Sequence, residues 1–172
     1  MDRLLPGLAI TVFALLLLAL MYWAWRGRKR RQQAFATTTA APAELGTELA
    51  SAEVLYVATT KAGEPLERLT IPGLTFRGRG RVTVFTTGVR LVIPGEPETF
   101  IASDRLRSVG TSTWAIDRVV ESGGLVRLDW TFDSTAGPAD VESYLRATEL
   151  GDARLLIDAA TTVIPQQEGT SS

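Results

Sequence analysis

Leu125-Val126-Arg127-Leu128-Asp129-Trp130-Thr131-Phe132 sets Val126, Leu128, Trp130 and Phe132 on one face of an extended chain and Arg127, Asp129 and Thr131 on the other. A clean period of two is that of a half-buried strand, since successive side chains of a strand point to opposite sides. Six further runs have the same character: residues 53–60, 74–86, 89–93, 98–102 and 106–113 before it, and 141–147 after it. Thr87-Gly88, Pro94-Gly95 and Ser122-Gly123-Gly124 are among the breaks, and such turn residues favour antiparallel hairpins. Seven short runs with no helical pattern between them predict an all-β domain over residues 52–164 rather than a series of βαβ units.

The second run carries the sharpest expectation. Leu74, Phe76, Gly78, Gly80, Val82 and Val84 share its inner face, and Arg77, Arg79 and Arg81 share the outer one. Two inward glycines predict a bend at which the strand coils across a neighbour, as strands do at the corners of small barrels. After residue 147 the period becomes helical. Thr148 is placed as the N-cap, Glu149 and Asp152 in the first turns, and Leu150, Ala153, Leu156, Ile157 and Ala160 form a stripe that would plug an open barrel end.

Ahead of the domain, residues 4–25 hold 22 positions without a charge, and Thr11 is the one residue there that is not apolar, aromatic, Pro or Gly. A helix of that length rises about 30 Å, the thickness of a bilayer core, so a transmembrane helix is expected after a short extracytoplasmic N-terminus, residues 1–3. Tyr22, Trp23 and Trp25 suit the headgroup zone. Arg26, Arg28, Lys29, Arg30 and Arg31 follow at once and place residues 26–31 on the cytoplasmic side of an inner membrane, N-terminus outside. A cleaved secretory signal carries its positive charge before the apolar run, not after it. A buried helix apolar on all sides would need more protein around it than this chain supplies. Residues 32–51, rich in Ala, Thr, Pro, Glu and Gly, read as a flexible tether reaching on the order of 25 Å, and residues 165–172 as an unpatterned tail.

The 172-residue chain contains no Cys and no His, which excludes disulfides, thiol nucleophiles, imidazole bases and zinc sites with the usual ligands. Its net charge of −1 hides an asymmetry: the first 31 residues hold six basic and one acidic side chains, the rest 12 and 18. An acidic domain is a poor nucleic-acid binder, so none is expected as partner. Asp117, Glu121, Asp129 and Asp133 could supply paired carboxylates, but nothing in their spacing forces two into one cleft. Ser and Thr nucleophiles would have only Lys or a carboxylate as base. Gly78-Arg79-Gly80 and Gly123-Gly124 lack the strand-loop-helix setting of a phosphate loop. No enzyme activity, metal or cofactor is expected.

The segments 55–63 (LYVATTKAG), 73–80 (GLTFRGRG), 87–89 (TGV) and 123–126 (GGLV), together with the membrane run and basic block, resemble actinobacterial single-pass membrane proteins with a PH-like domain. That resemblance implies a PH-like seven-stranded antiparallel barrel with one C-terminal helix, and no catalytic residues. Phosphoinositide readers within the PH superfold use a Lys near the end of strand one and an Arg-x-Arg pair on strand two. Lys61, Arg77 and Arg79, extended by Arg81, are the matching candidates here. Guanidinium forks about 7 Å apart at alternate strand positions fit phosphate oxygens. Glu64 and Glu67 weaken the field around them, and an outward Arg ladder is ordinarily a solvated or cross-paired face. The leading expectation is an interaction module that docks a protein partner at the bilayer, with a sensor of anionic lipid headgroups or metabolites as the alternative.

Overall fold

The computed structural model describes residues 4–33, 41–112, 114–115, 118–119 and 125–165, and the side chains of the first helix at 12–24, 26 and 27. The chain divides into two compact units, Met1–Ala34 and Phe35–Ser172. In the first, helix α1 runs Leu4–Gln33. Leu and Ala are strong helix formers, and Pro6 falls in the first turn where a missing N–H costs little. The basic block prolongs the helix rather than ending it, since Arg, Lys and Gln favour helix and cations suit its negative C-terminal end. α1 therefore continues two residues into the segment read as tether. Among the described residues no helix is long and apolar enough to cross a membrane. The side chains described begin at Val12, so the first eight positions of the uncharged run lie outside them.

The second unit is built from β1 (Glu48–Lys61), β2 (Glu64–Arg68), β3 (Gly78–Phe85), β4 (Gly88–Val92), β5 (Thr99–Ala102), β6 (Leu106–Ser112), β7 (Trp114–Ala115), β8 (Arg118–Val119), β9 (Leu125–Ser134), β10 (Gly137–Ala147) and helix α2 (Asp152–Val163). Each of the seven alternating runs contains one strand. They form an antiparallel sheet in the order β5-β4-β3-β1-β10-β9-β6, with β2 attached to β1 as an eighth strand and β7–β8 as a separate hairpin. The terminal strands β5 and β6 do not pair, so the sheet is open where a closed seven-stranded barrel was expected.

Three local expectations need correction. Strand β3 occupies only the second half of run 74–86: residues 74–77 form a turn, and Phe76, read as inward, is 69% exposed. The strand begins at Gly78 because the chain before it folds under the sheet instead of extending. Second, the register irregularities next to β3 fall in β1 and not at the glycines, among them a shift against β10 between Tyr56 and Ala58. A bulge there lets one long strand serve β3 with its first part and β10 with its second. The glycines act on a neighbour instead: a Cβ on Gly80 would lie 2.5 Å from the Val92 carbonyl oxygen, so the bare position admits the end of β4. Third, β1 starts at Glu48, and the tether is held still earlier. Thr87 Oγ1 donates to the Leu45 carbonyl at 2.6 Å, and Thr47 and Thr86 exchange bonds through Thr86 N–H to Thr47 O (3.0 Å) and Thr47 N–H to Thr86 Oγ1 (3.2 Å).

Val126, Leu128, Trp130 and Phe132 are buried, and the Trp130 and Phe132 rings meet edge to face at 5.7 Å. Two segments that are not strands cover this core. Helix α2 lies against β1 and β6 and also meets β3, β4, β9 and β10, inserting Leu156 and Ala160. Thr148 does not cap it, because its N–H and hydroxyl both bond to the Glu53 carbonyl and prolong the β1–β10 pairing. Gly151, at φ 93°, turns the chain into the helix, and Leu150 points fully into solvent.

The other cover is the β2–β3 connection, which buries Leu69, Ile71 and Leu74 almost completely. Gly73 (φ 88°) lets it pass close to β5, since a Cβ there would stand 2.5 Å from the Pro97 carbonyl oxygen. A buried run of hydrogen bonds ties the segment down. Tyr56 OH lies 2.8 Å from the Leu74 carbonyl, which can only accept, and 3.0 Å from Thr59 Oγ1. Thr59 Oγ1 lies 2.7 Å from Ser143 Oγ, which receives Trp130 Nε1–H at 2.9 Å. Each group has one proton, so the order is fixed: Trp130 donates to Ser143, Ser143 to Thr59, Thr59 to Tyr56 and Tyr56 to Leu74 O. Every proton of this buried set is used, which is how polar groups are carried in a core without desolvation cost.

Candidate functional site

Antiparallel register sets Arg81 across from Glu53 and Arg79 across from Leu55, both facing outward. Arg81 pairs with Glu53, and the two side chains are 60% and 54% exposed. Lys61, in the β1–β2 hairpin, pairs with Glu64. Arg77 precedes the strand, exposed in the turn. The structure thus does not gather the four candidates: Glu53 and Lys61 are eight residues apart on β1, about 26 Å of extended chain. Two of the four already hold carboxylates.

What the sequence did not bring forward is Arg146. Leu55 pairs on one side with Arg79 and on the other with Arg146, so the three form a row across β3, β1 and β10 on the outer face. All three Arg side chains, 77, 79 and 146, are exposed, and among the described residues none of them takes a carboxylate. Alternation alone marks each as outward, but only strand order makes them neighbours. Arg68 donates to the Thr75 carbonyl at 3.1 Å, which brings exposed Leu66 on β2 toward the turn that carries exposed Phe76.

The carboxylates weighed for acid-base work are committed elsewhere. Asp129 accepts from Ser108 Oγ and from Arg127 Nη2 at 3.0 Å, with Arg127 Nε 2.9 Å from its other oxygen, and Asp133 takes Arg105 at 2.8 Å. Asp117 and Glu121 lie outside the described residues. A cleft of about 430 Å³ runs along Asp104, Arg107, Asp129, Asp140 and Glu142. Asp140 in it pairs with Arg107 and accepts Thr131 Oγ1 at 3.0 Å, and Glu142 accepts Tyr144 OH at 2.6 Å. Among the described residues no three carboxylates stand where they could hold a metal. Burial pushes the Tyr56 phenol up to about 12. Tyr144 is also pushed up to about 12, first by burial and then by its bond to anionic Glu142. Both phenols are held neutral as donors.

In α1, Tyr22 and Trp23 are 54% and 79% exposed and Arg26 is exposed, while the side chains of Trp25, Arg28, Lys29, Arg30 and Arg31 lie outside the described set. The strand order, β1 shared between two halves of the sheet and the covering C-terminal helix agree with the family-level comparison, in which the model of the bacterial PH domain-like family matches residues 35–161. The chain belongs to the bacterial PH domain-like family. Its PH-like domain carries three strands that the seven runs did not include, β2 in the β1–β3 connection and both strands of the β7–β8 hairpin in the β6–β9 connection. No individual curated protein matches the chain.

Proposed function

We propose that this chain is a single-pass inner-membrane protein whose PH-like domain docks or positions a protein partner on the cytoplasmic side. The docking reading is carried by the domain surface: Leu66 and Phe76 are 70% and 69% exposed on two segments joined by the Arg68–Thr75 hydrogen bond, while Lys61 and Arg81 of the expected anion site hold carboxylates. Exposed large apolar side chains beside Arg are the composition of protein interfaces. The anchor rests on the 22 uncharged positions, on an α1 without a preferred apolar face, and on the aromatic and basic residues that follow. A tether raises the effective concentration of partners in the same bilayer. The proposal assigns the chain no reaction.

The alternative, a sensor of anionic headgroups or metabolites, retains Arg77 and Arg79, which hold no carboxylate among the described residues. A photo-crosslinking residue at position 76 of the intact chain in native membranes separates the two. One discrete protein adduct at 76, absent when the probe sits at exposed Glu149, is expected; adducts to lipid alone would replace the docking reading with the sensor. Topology is tested by Thr37→Cys in a chain without other cysteines. Labelling by an impermeant thiol reagent is expected only after lysis, and labelling of intact cells would reverse the orientation.

A further inference from the structure

We propose that the outer face of β3, β1 and β10 is a docking strip for an acidic, extended segment of a partner protein, gripped by Arg79 and Arg146 on either side of Leu55 and by Arg77 at its end. The inference rests on the interaction-module reading and names the partner's chemistry. Of the other Arg side chains on or beside this sheet, Arg81, Arg105, Arg107 and Arg127 each hold a carboxylate, while Arg68 donates to the Thr75 carbonyl and Arg90 stacks on the Phe85 ring. Among the described residues Arg77, Arg79 and Arg146 hold no carboxylate, in a domain where acids outnumber bases. Unneutralised guanidinium groups clustered within an acidic surface are a local charge pattern that calls for external carboxylates.

The spacing fits that occupant. Adjacent strands lie about 4.8 Å apart, so Arg79 and Arg146 flank Leu55 at about 10 Å, and Arg77 and Arg79 are about 7 Å apart along the chain. Carboxylates two or three residues apart on an extended segment reach these distances. Half-buried Leu55 offers an apolar contact between the two forks. An anionic bilayer fits less well, because a plane of charge meets the field of the whole acidic domain, including Glu53 in the next row. A short segment meets only what lies within a Debye length of about 8 Å.

The probe is fluorescein-labelled octaglutamate, read by anisotropy against the intact chain in phosphatidylcholine nanodiscs. Arg79→Gln with Arg146→Gln is expected to weaken binding at least tenfold. Arg81→Gln, whose partner is Glu53, is expected to change it less than twofold. Arg28→Gln with Arg30→Gln removes the same charge from the basic block and is expected to have the smaller effect. If the block variant loses the peptide and the strip variant keeps it, the strip is overturned. Amide protection at residues 77–79 appearing on transfer to phosphatidylglycerol nanodiscs, without peptide and dependent on Arg79 and Arg146, would give the face to the bilayer and overturn it equally. The strip residues are exposed, so an unchanged unfolding midpoint checks that both variants are folded. Absence of any protein adduct at position 76 would defeat the module reading itself, whereas octaglutamate binding indifferent to Arg79 and Arg146 defeats only the strip.

Discussion

The core of the PH-like domain is covered by two segments that solve one problem differently. Helix α2 satisfies its own backbone and needs only an apolar stripe, which Leu156 and Ala160 supply. The β2–β3 connection buries Leu69, Ile71 and Leu74, but its backbone must be satisfied from outside. Tyr56 reaches the Leu74 carbonyl, and the Thr59 carbonyl accepts the Leu69 N–H at 2.9 Å. A helical cover is thus self-sufficient and visible as periodicity, whereas an irregular cover borrows its order from the sheet beneath it.

If the two covers contribute alike, Ile71→Ala and Leu156→Ala will each destabilise the domain by about 2–5 kcal/mol, the usual cost of emptying a buried aliphatic site. Thermal or denaturant unfolding of the intact chain in detergent measures both, and a loss below ~1 kcal/mol at Ile71 alone would make the loop a passenger. Tyr56→Phe sharpens the contrast, because it leaves the Leu74 carbonyl and the Thr59 proton without partners at about 1–3 kcal/mol. Hydrogen exchange is expected to rise across residues 69–77 and to stay unchanged across 152–163.

The alternating strand at 125–132 was legible because burial on one face imposes a period on the residues themselves. The stripe of α2 was legible for the same reason, although Leu150, one turn too early, belongs to the solvent-exposed approach to Gly151. Leu69, Ile71 and Leu74 are spaced two and three apart around Pro72-Gly73 and match neither period, so Leu69 and Ile71 carry no mark of core and Leu74 is read as inward only by being counted into a strand that starts four residues later. The candidate site failed at another level. Parity told which way Arg79 and Arg81 point, but pairing with Glu53 and neighbourhood to Arg146 depend on register, which the bulge at Tyr56–Ala58 sets and no single strand encodes.

Alkaline pH offers a smaller effect on the same contrast. Tyr56 and Tyr144 ionise near 10 in the unfolded chain and at about 12 when folded, so the unfolded chain loses its protons first. Stability is therefore full below pH 10 and falls as pH rises through 12. Tyr56→Phe is expected to flatten that decline, as followed by circular dichroism; an unaltered slope would detach Tyr56 from the linkage. The least effect is expected on the outside: Leu150→Ser should stay within about 0.5 kcal/mol and Arg81→Gln within about 1 kcal/mol, the range of exposed positions and exposed ion pairs.

The hook formed by Leu45 and Thr47 on Thr86 and Thr87 has a mechanical meaning. Tension drawn along the chain from its N-terminal side reaches the hook first and then the long axis of β1. Because β1 is held by β3 along its first part and by β10 along its second, that pull runs into the β1–β3 ladder before it reaches the β1–β10 ladder. The domain is loaded in its stiff direction, with Leu45 to Thr47 as the first link to give.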